Sequence, residues 1–177
     1  MRILVAITGA SGLEYGRRLC QILKKSGSES ALVISSGARK VAEAEGAQLP
    51  EADYDEFDFS CPFASGSNPP DAVIVAPCSL KTLGEIANGV GSNLVSRAAE
   101  VALKERKKLI LVVRETPYSL ITIKNMEKVT LAGAVVLPAS PAFYGRPQNV
   151  GDLVDFIVAR VLDQVGLEHS LSKRWGD

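Results

Sequence analysis

A chain of 177 residues with 46% apolar and 23% charged side chains has the size of one globular domain and needs no disulfide or metal to close its core. These proportions exclude a disordered chain, a collagen and a coiled coil. Twenty Lys and Arg balance twenty Asp and Glu, so a general nucleic-acid-binding surface is not expected.

In chain order, continuous Val/Ile/Leu stretches at 3–7, 31–34, 72–76, 109–113 and 134–137 are expected as strands. They lack polar alternation, the pattern of strands buried on both faces of a parallel sheet. Helical segments are expected at about 13–25, 37–46, 79–88, 92–106, 119–131 and 150–165. The last carries an apolar stripe of Val150, Leu153, Val154, Ile157, Val158, Val161, Leu162 and Val165. Strand–helix alternation defines an α/β doubly wound domain with a mostly parallel sheet over 1–177. The first run follows one charge, Arg2, and ends at Thr8-Gly9; it reads as a strand and not a signal peptide. The stretch 50–71 is acidic and rich in Ser, Gly and Pro, and is expected as a long excursion with one short strand around 57–59. The tail from about 168 reads either as a frayed end or as an arm to a neighbouring subunit. Cys20, Cys61 and Cys78 form no CxxC pair and no even framework, which fits a reduced, cytoplasmic setting. The single histidine, His169, lies in the tail, against a His-rich metal site or a Ser-His-Asp triad.

Ligands of a doubly wound sheet sit at the carboxyl ends of its strands. After the first strand, Thr8-Gly9-Ala10-Ser11-Gly12 opens a helix and offers backbone N–H groups to an anion. It is neither a Walker loop nor a good GxGxxG fingerprint, and the second strand ends at Ser35-Ser36 without the acidic residue that takes a ribose hydroxyl. A mononucleotide such as FMN fits better than NAD; a plain tight turn is the bland alternative. After the third strand, Ser79-Leu80-Lys81-Thr82 reads equally as a simple cap and as a phosphate or flavin-edge site. Cys78, with no histidine near it in sequence, is expected to be buried and structural. Arg97 and Lys104, seven residues apart, share a helix face that suits a phosphate or is simply solvated. After the fourth strand come Arg114 and Glu115, with Thr116 expected to cap and Pro117 to open the next helix. After the fifth, a Pro-rich segment carries Phe143, Tyr144 and Arg146, and Arg160 borders the stripe of the last helix; such arginines usually snorkel.

The segments GASGLEYG, APCSLKTLGEIANGVGSNLVSRAAEVALKERKKLILVVRETP, PASPAFYGRPQ and VGDLVDFIVARVLD resemble, in order and over nearly the whole chain, the UbiX/Pad family of flavin prenyltransferases, formerly described as aromatic-acid decarboxylases. The resemblance implies a Rossmann-like, flavodoxin-type three-layer α/β/α fold and a dodecamer with sites at subunit interfaces. It implies metal-independent transfer of a dimethylallyl group from dimethylallyl phosphate to N5 and C6 of reduced FMN, the product serving a separate UbiD-type decarboxylase. By motif, Gly9, Ala10, Ser11, Ser35, Ser79, Leu80, Lys81, Thr82 and Arg114 would hold FMN. Arg97, Lys104, Tyr144 and Arg160 would grip the prenyl phosphate, with Trp175 near them. Ser11, Glu45, Lys104 and Glu115 would serve the chemistry, with the acceptor of the C6 proton left open. The family's histidines after RETP and in a YHRP segment are replaced by Tyr118-Ser119-Leu120-Ile121 and Tyr144-Gly145-Arg146; these positions are read as shaping the pocket. An FMN-dependent cysteine decarboxylase of the same fold and a non-catalytic flavin carrier are the alternatives.

Overall fold

The structure, a computed structural model, describes residues 1–176; Asp177, the end of the expected tail, lies outside the described residues. The described residues form five strands, β1 (Arg2–Ile7), β2 (Glu29–Ile34), β3 (Ala72–Cys78), β4 (Lys108–Val113) and β5 (Val135–Val136). They also form six α-helices, α1 (Leu13–Lys25), α2 (Ser36–Glu45), α3 (Leu80–Ala87), α4 (Leu94–Lys104), α5 (Leu120–Leu131) and α6 (Val150–Val165). The strands make one sheet in the order β2-β1-β3-β4-β5, every pairing parallel. This is the flavodoxin-type order, and it reverses direction between β1 and β3. Among the described residues no helix is long and apolar enough to cross a membrane.

Apolar residues alternate between the two faces of each strand. Ile3, Val5 and Ile7 of β1 join Leu19 and Leu23 of α1, Ala38 and Ala42 of α2 and the stripe of α6 on one face. Leu4 and Ala6 join Leu83 of α3, Leu94, Ala98 and Ala102 of α4 and Val129 of α5 on the other. Each fully buried Leu or Ile contributes about 1.5–3 kcal/mol relative to exposure, so the two clusters hold helices on both faces of the sheet. Arg18 of α1 donates through Nε and a terminal nitrogen to Asp155 of α6, at 2.6 and 2.8 Å, tying the two helices of one face.

Three local expectations are corrected. The short strand around 57–59 is absent; Asp55 Oδ1 accepts from the Phe57 N–H and Asp58 Oδ1 from the Ser60 N–H, both at 2.9 Å. These side chains take the backbone donors that a ladder would need, and the excursion holds instead a bridge between Val33 and Tyr54 and a 3₁₀ turn at Pro62–Ala64. Thr116 and Pro117 do not start a helix. The Thr116 hydroxyl donates to the Glu115 carbonyl oxygen at 2.8 Å, and Ser119, whose side chain accepts from the Thr122 N–H, caps α5. Val150 lies outside the buried stripe of α6 at 73% exposure, because it is the first residue of the helix and precedes contact with the sheet.

Candidate functional site

The carboxyl ends of β1 and β3 lie side by side, and the chain leaving each enters a helix. Thr8 joins these ends. Its backbone N–H donates to the Pro77 carbonyl at 3.2 Å. Its hydroxyl donates to the same oxygen at 2.8 Å and accepts from the Ser79 N–H at 2.8 Å. Close approach continues into α1, where a Cβ on Gly16 would sit 2.2 Å from the Ala76 carbonyl oxygen. A Cβ on Gly9 would meet the Gly37 backbone carbonyl carbon at 2.9 Å, so the turns after β1 and β2 pack backbone on backbone.

Beside these turns opens a cleft of about 460 Å³, within the usual range for a cofactor-sized ligand. Its lining includes Thr8, Gly9, Ser35, Lys40, Glu56, Ser79, Leu80, Lys81, Thr82, Asn93 and Glu115. Three helices begin on it, and each N-cap side chain accepts from its own first turn: Ser35 from the Ala38 N–H, Ser79 from the Thr82 N–H and Asn93 from the Ser96 N–H. Caps of this kind leave other first-turn N–H groups for a ligand, and the helix dipoles favour negative charge there. Ser79 is therefore both a cap and a wall of the cleft. Ser11 and Arg114 form the adjoining rim, the Arg114 Nε donating to the Ser11 carbonyl oxygen at 3.1 Å. Ala10 is buried beneath that turn.

Seven of the residues named from sequence thus line one cleft (Gly9, Ser35, Ser79, Leu80, Lys81, Thr82 and Glu115), with Ala10, Ser11 and Arg114 beside it. The other candidates lie elsewhere on the protomer. Glu45 lines a separate depression with Glu14 and Arg17. Arg97 donates to the Ala64 carbonyl oxygen at 3.1 Å and pairs with Glu100 at 3.0 Å. Lys104 pairs with Glu105 and lies against Gly66, at the far end of α4, about 16 Å along the axis from the helix start. Both cations lie on the face of α4 turned to the segment 62–66. Tyr144 stands edge-on to Trp175, ring centroids 5.1 Å apart, and Arg160 pairs with Asp163.

Sequence reasoning missed Glu56, Lys40 and Asn93. Glu56 is 6% exposed and accepts from the Ser36 N–H at 2.5 Å, while its backbone oxygen accepts from the Leu94 N–H. Among the many acidic residues of 50–71, nothing local marks it as the one turned inward. Asn93 carried a readable signal, an Asn three residues before Ser96 at a helix start. Cys78 is fully buried, and desolvation pushes its thiol up to about 12, as expected of a structural cysteine.

A flavodoxin-type sheet with a glycine turn and three helix starts on one cleft at its switch point has the architecture of a nucleotide-binding protein. Residues 1–162 match the family described as Flavoprotein. The chain is 48% identical to the flavin prenyltransferase UbiX of Methanocaldococcus jannaschii, over 99% of each chain. It superposes on the crystal structure of AnUbiX in complex with FMN and dimethylallyl pyrophosphate with a TM-score of 0.94 and 41% identity, over 99% of this chain and 97% of that one. It superposes equally, TM-score 0.94 and 41% identity over the whole of both chains, on a dodecameric FMN-dependent UbiX-like decarboxylase from Escherichia coli. The chain belongs to the flavoprotein family and, within it, to the UbiX flavin prenyltransferases.

Proposed function

We propose that this chain transfers the dimethylallyl group of dimethylallyl phosphate to N5 and C6 of reduced FMN, without a metal. The observation that carries this is the full-length match to a flavin prenyltransferase, in a chain whose cleft offers the donor set an anionic mononucleotide needs. Reduced FMN supplies an electron-rich ring that takes up the five-carbon fragment. The turn Gly9–Ser11, together with Ser35 and Ser79–Thr82, holds it through backbone N–H groups and hydroxyls. Arg114 fixes the Ser11 turn from behind. Glu115 stands in the cleft as a proton acceptor, with Glu45 and Ser11 as further candidates.

Arg97, Lys104, Tyr144 and Arg160, with Trp175 beside them, meet the leaving phosphate. Donors placed where charge develops are each worth about 3–4 kcal/mol of barrier. Since Arg97 and Lys104 on α4, and Arg160 on α6 with Tyr144 and Trp175 beside that helix, form two groups outside the cleft lining, they are brought to the cleft by neighbouring protomers of a dodecamer. The tail from 168 to 176 contributes to that contact. The product passes to a UbiD-type decarboxylase in the cytoplasm. Against the cysteine-decarboxylase alternative, no histidine precedes His169.

The test is an anaerobic incubation with reduced FMN and dimethylallyl phosphate, read by the mass of the released flavin. A flavin heavier by one five-carbon unit is expected; unmodified FMN from a fully loaded protein overturns the assignment. Glu115→Gln and Lys104→Ala separate enzyme from carrier. An enzyme keeps FMN and loses product, whereas a carrier is indifferent to both changes.

A further inference from the structure

Asp163 lies in the last turn of α6 and gathers three donors onto one carboxylate. Its Oδ2 accepts from Arg160 at 2.6 Å. Its Oδ1 lies 3.1 Å from His169 Nε2 and accepts from Arg174 at 3.0 Å. A carboxylate has about four lone-pair sites, so three charge-assisted or polar donors nearly fill it. His169 is held on both sides: the Leu171 N–H donates to its Nδ1 at 3.4 Å, which leaves Nε2 to donate to Asp163. The imidazole side chain is 4% exposed, although the segment around it is largely at the surface. Burial pushes the Asp163 carboxyl up, but the His169 and Arg174 hydrogen bonds outweigh it and hold it below its ordinary value.

Two of those donors belong to the segment after Gly166, where a left-handed residue with φ 84° turns the chain back along α6. That segment then carries Trp175 to the edge of Tyr144, and Tyr144 stands edge-on to Phe156 of α6 at 6.0 Å. Between the tail and the loop before α6 lies a cavity of about 230 Å³ lined by Tyr144, Phe156, Leu171 and Ser172. Asp163 therefore fastens the tail and Arg160 to the helix on which, about two turns earlier, Tyr144 rests against Phe156.

We propose that Asp163 is a positioning residue for the prenyl-phosphate end of the site: it docks the tail on α6 through His169 and Arg174 and, by the same carboxylate, sets the direction of Arg160. This rests on the assignment of Arg160, Tyr144 and Trp175 to the prenyl phosphate given above. A carboxylate with no role beyond stabilising α6 would change melting temperature and leave substrate affinity alone. Asp163 changes the affinity for dimethylallyl phosphate and leaves that for FMN as it was.

Trp175 is the sole tryptophan of the chain, so its fluorescence anisotropy reports tail docking in the intact oligomer without a label. In Asp163→Asn the anisotropy falls, KM for dimethylallyl phosphate rises ~10-fold, the scale of one lost charge-assisted hydrogen bond, and the FMN Kd stays at the wild-type value. His169→Leu removes a tail-side donor and leaves Arg160 its partner; it lowers the anisotropy and raises KM less. The proposal is overturned if both variants keep wild-type anisotropy, or if Asp163→Asn keeps wild-type KM. If the wild-type protein makes no prenylated flavin, the reaction assignment fails separately. The anisotropy then still decides whether Asp163 docks the tail.

Discussion

Thr8 shows how much of the cleft hangs on single polar contacts. At 1% exposure its hydroxyl gives one hydrogen bond to Pro77 and takes another from Ser79, locking the two strand ends that frame the ligand. Thr8→Val keeps the shape and strands the buried Ser79 N–H, at a cost of about 1–3 kcal/mol. A drop of several degrees in melting temperature and a weaker FMN Kd are the expected results; an unchanged Kd would show that the cleft does not depend on this junction. The glycine turn and Ser79 were legible because their residue types announce turns and caps. Thr8 was read only as the start of that turn; its bonds to Pro77 and Ser79 were not legible, since they join residues about 70 apart in the chain. The cysteines make a second prediction at this scale. Desolvation raises Cys20 to about 11 and Cys78 to about 12, so neither carries much reactive thiolate near pH 8. Native protein should react slowly with a thiol reagent and show three fast thiols once denatured, followed by absorbance. Rapid labelling of Cys78 in the native state would contradict its burial.

Among the elements, the contact of α1 with the sheet is the tightest that the glycines reveal. The Cβ of Gly16→Ala would press 2.2 Å from the Ala76 carbonyl oxygen and 2.6 Å from the Ile7 side chain, and a backbone oxygen cannot step aside. Helix α1 must lift, carrying the Gly9–Gly12 turn with it, at a cost of about 1–3 kcal/mol for the overpacking. Lower stability on denaturant unfolding should therefore come together with weaker FMN binding, although Gly16 does not line the cleft. A variant that is destabilised yet binds FMN normally would separate the helix from the turn. The elements themselves were largely legible: α1 and α6 begin and end where the 3.6-residue pattern places them, because each packs one apolar stripe on the sheet. The pattern failed around 57–59, where Phe57-Asp58-Phe59 imitates a strand while the Asp55 and Asp58 side chains bind nearby backbone N–H groups. Period-2 alternation says which side chains share a face. It does not say whether the backbone donors remain available for a partner strand.

For the whole molecule, the site proposed above is larger than the cleft of one protomer. The cleft holds the residues proposed for the flavin, while Arg97, Lys104, Tyr144 and Arg160 are outside its lining. Sequence reading placed Arg97 and Lys104 on one helix face, Tyr144 in the segment after the last strand and Arg160 beside the stripe of the last helix, and could not say which of these surfaces meet, because that depends on how copies pack. Helix α5 supplies a physical reason for packing. Leu120 and Ile121, at 70% and 74% exposure, open α5 five residues after the cleft-lining Glu115 in the chain, and Leu131 at the other end of the helix is 82% exposed. Single exposed apolar residues are ordinary, but a helix that exposes Leu120, Ile121, Ile123 and Leu131 together is suited to cover by another protomer, and a relative of the same fold is dodecameric. Ile121→Glu would place a charge where such a contact must exclude water, and an unpaired charge buried at an interface is strongly unfavourable. The variant should have a lower mass by light scattering. It should retain part of its FMN binding, since the cleft walls belong to one chain, and lose prenyl transfer, since the phosphate-binding residues no longer arrive from a neighbour. A dissociated Ile121→Glu protein with full turnover would mean that one protomer closes its own site, and the division of labour between cleft and neighbour would have to be abandoned.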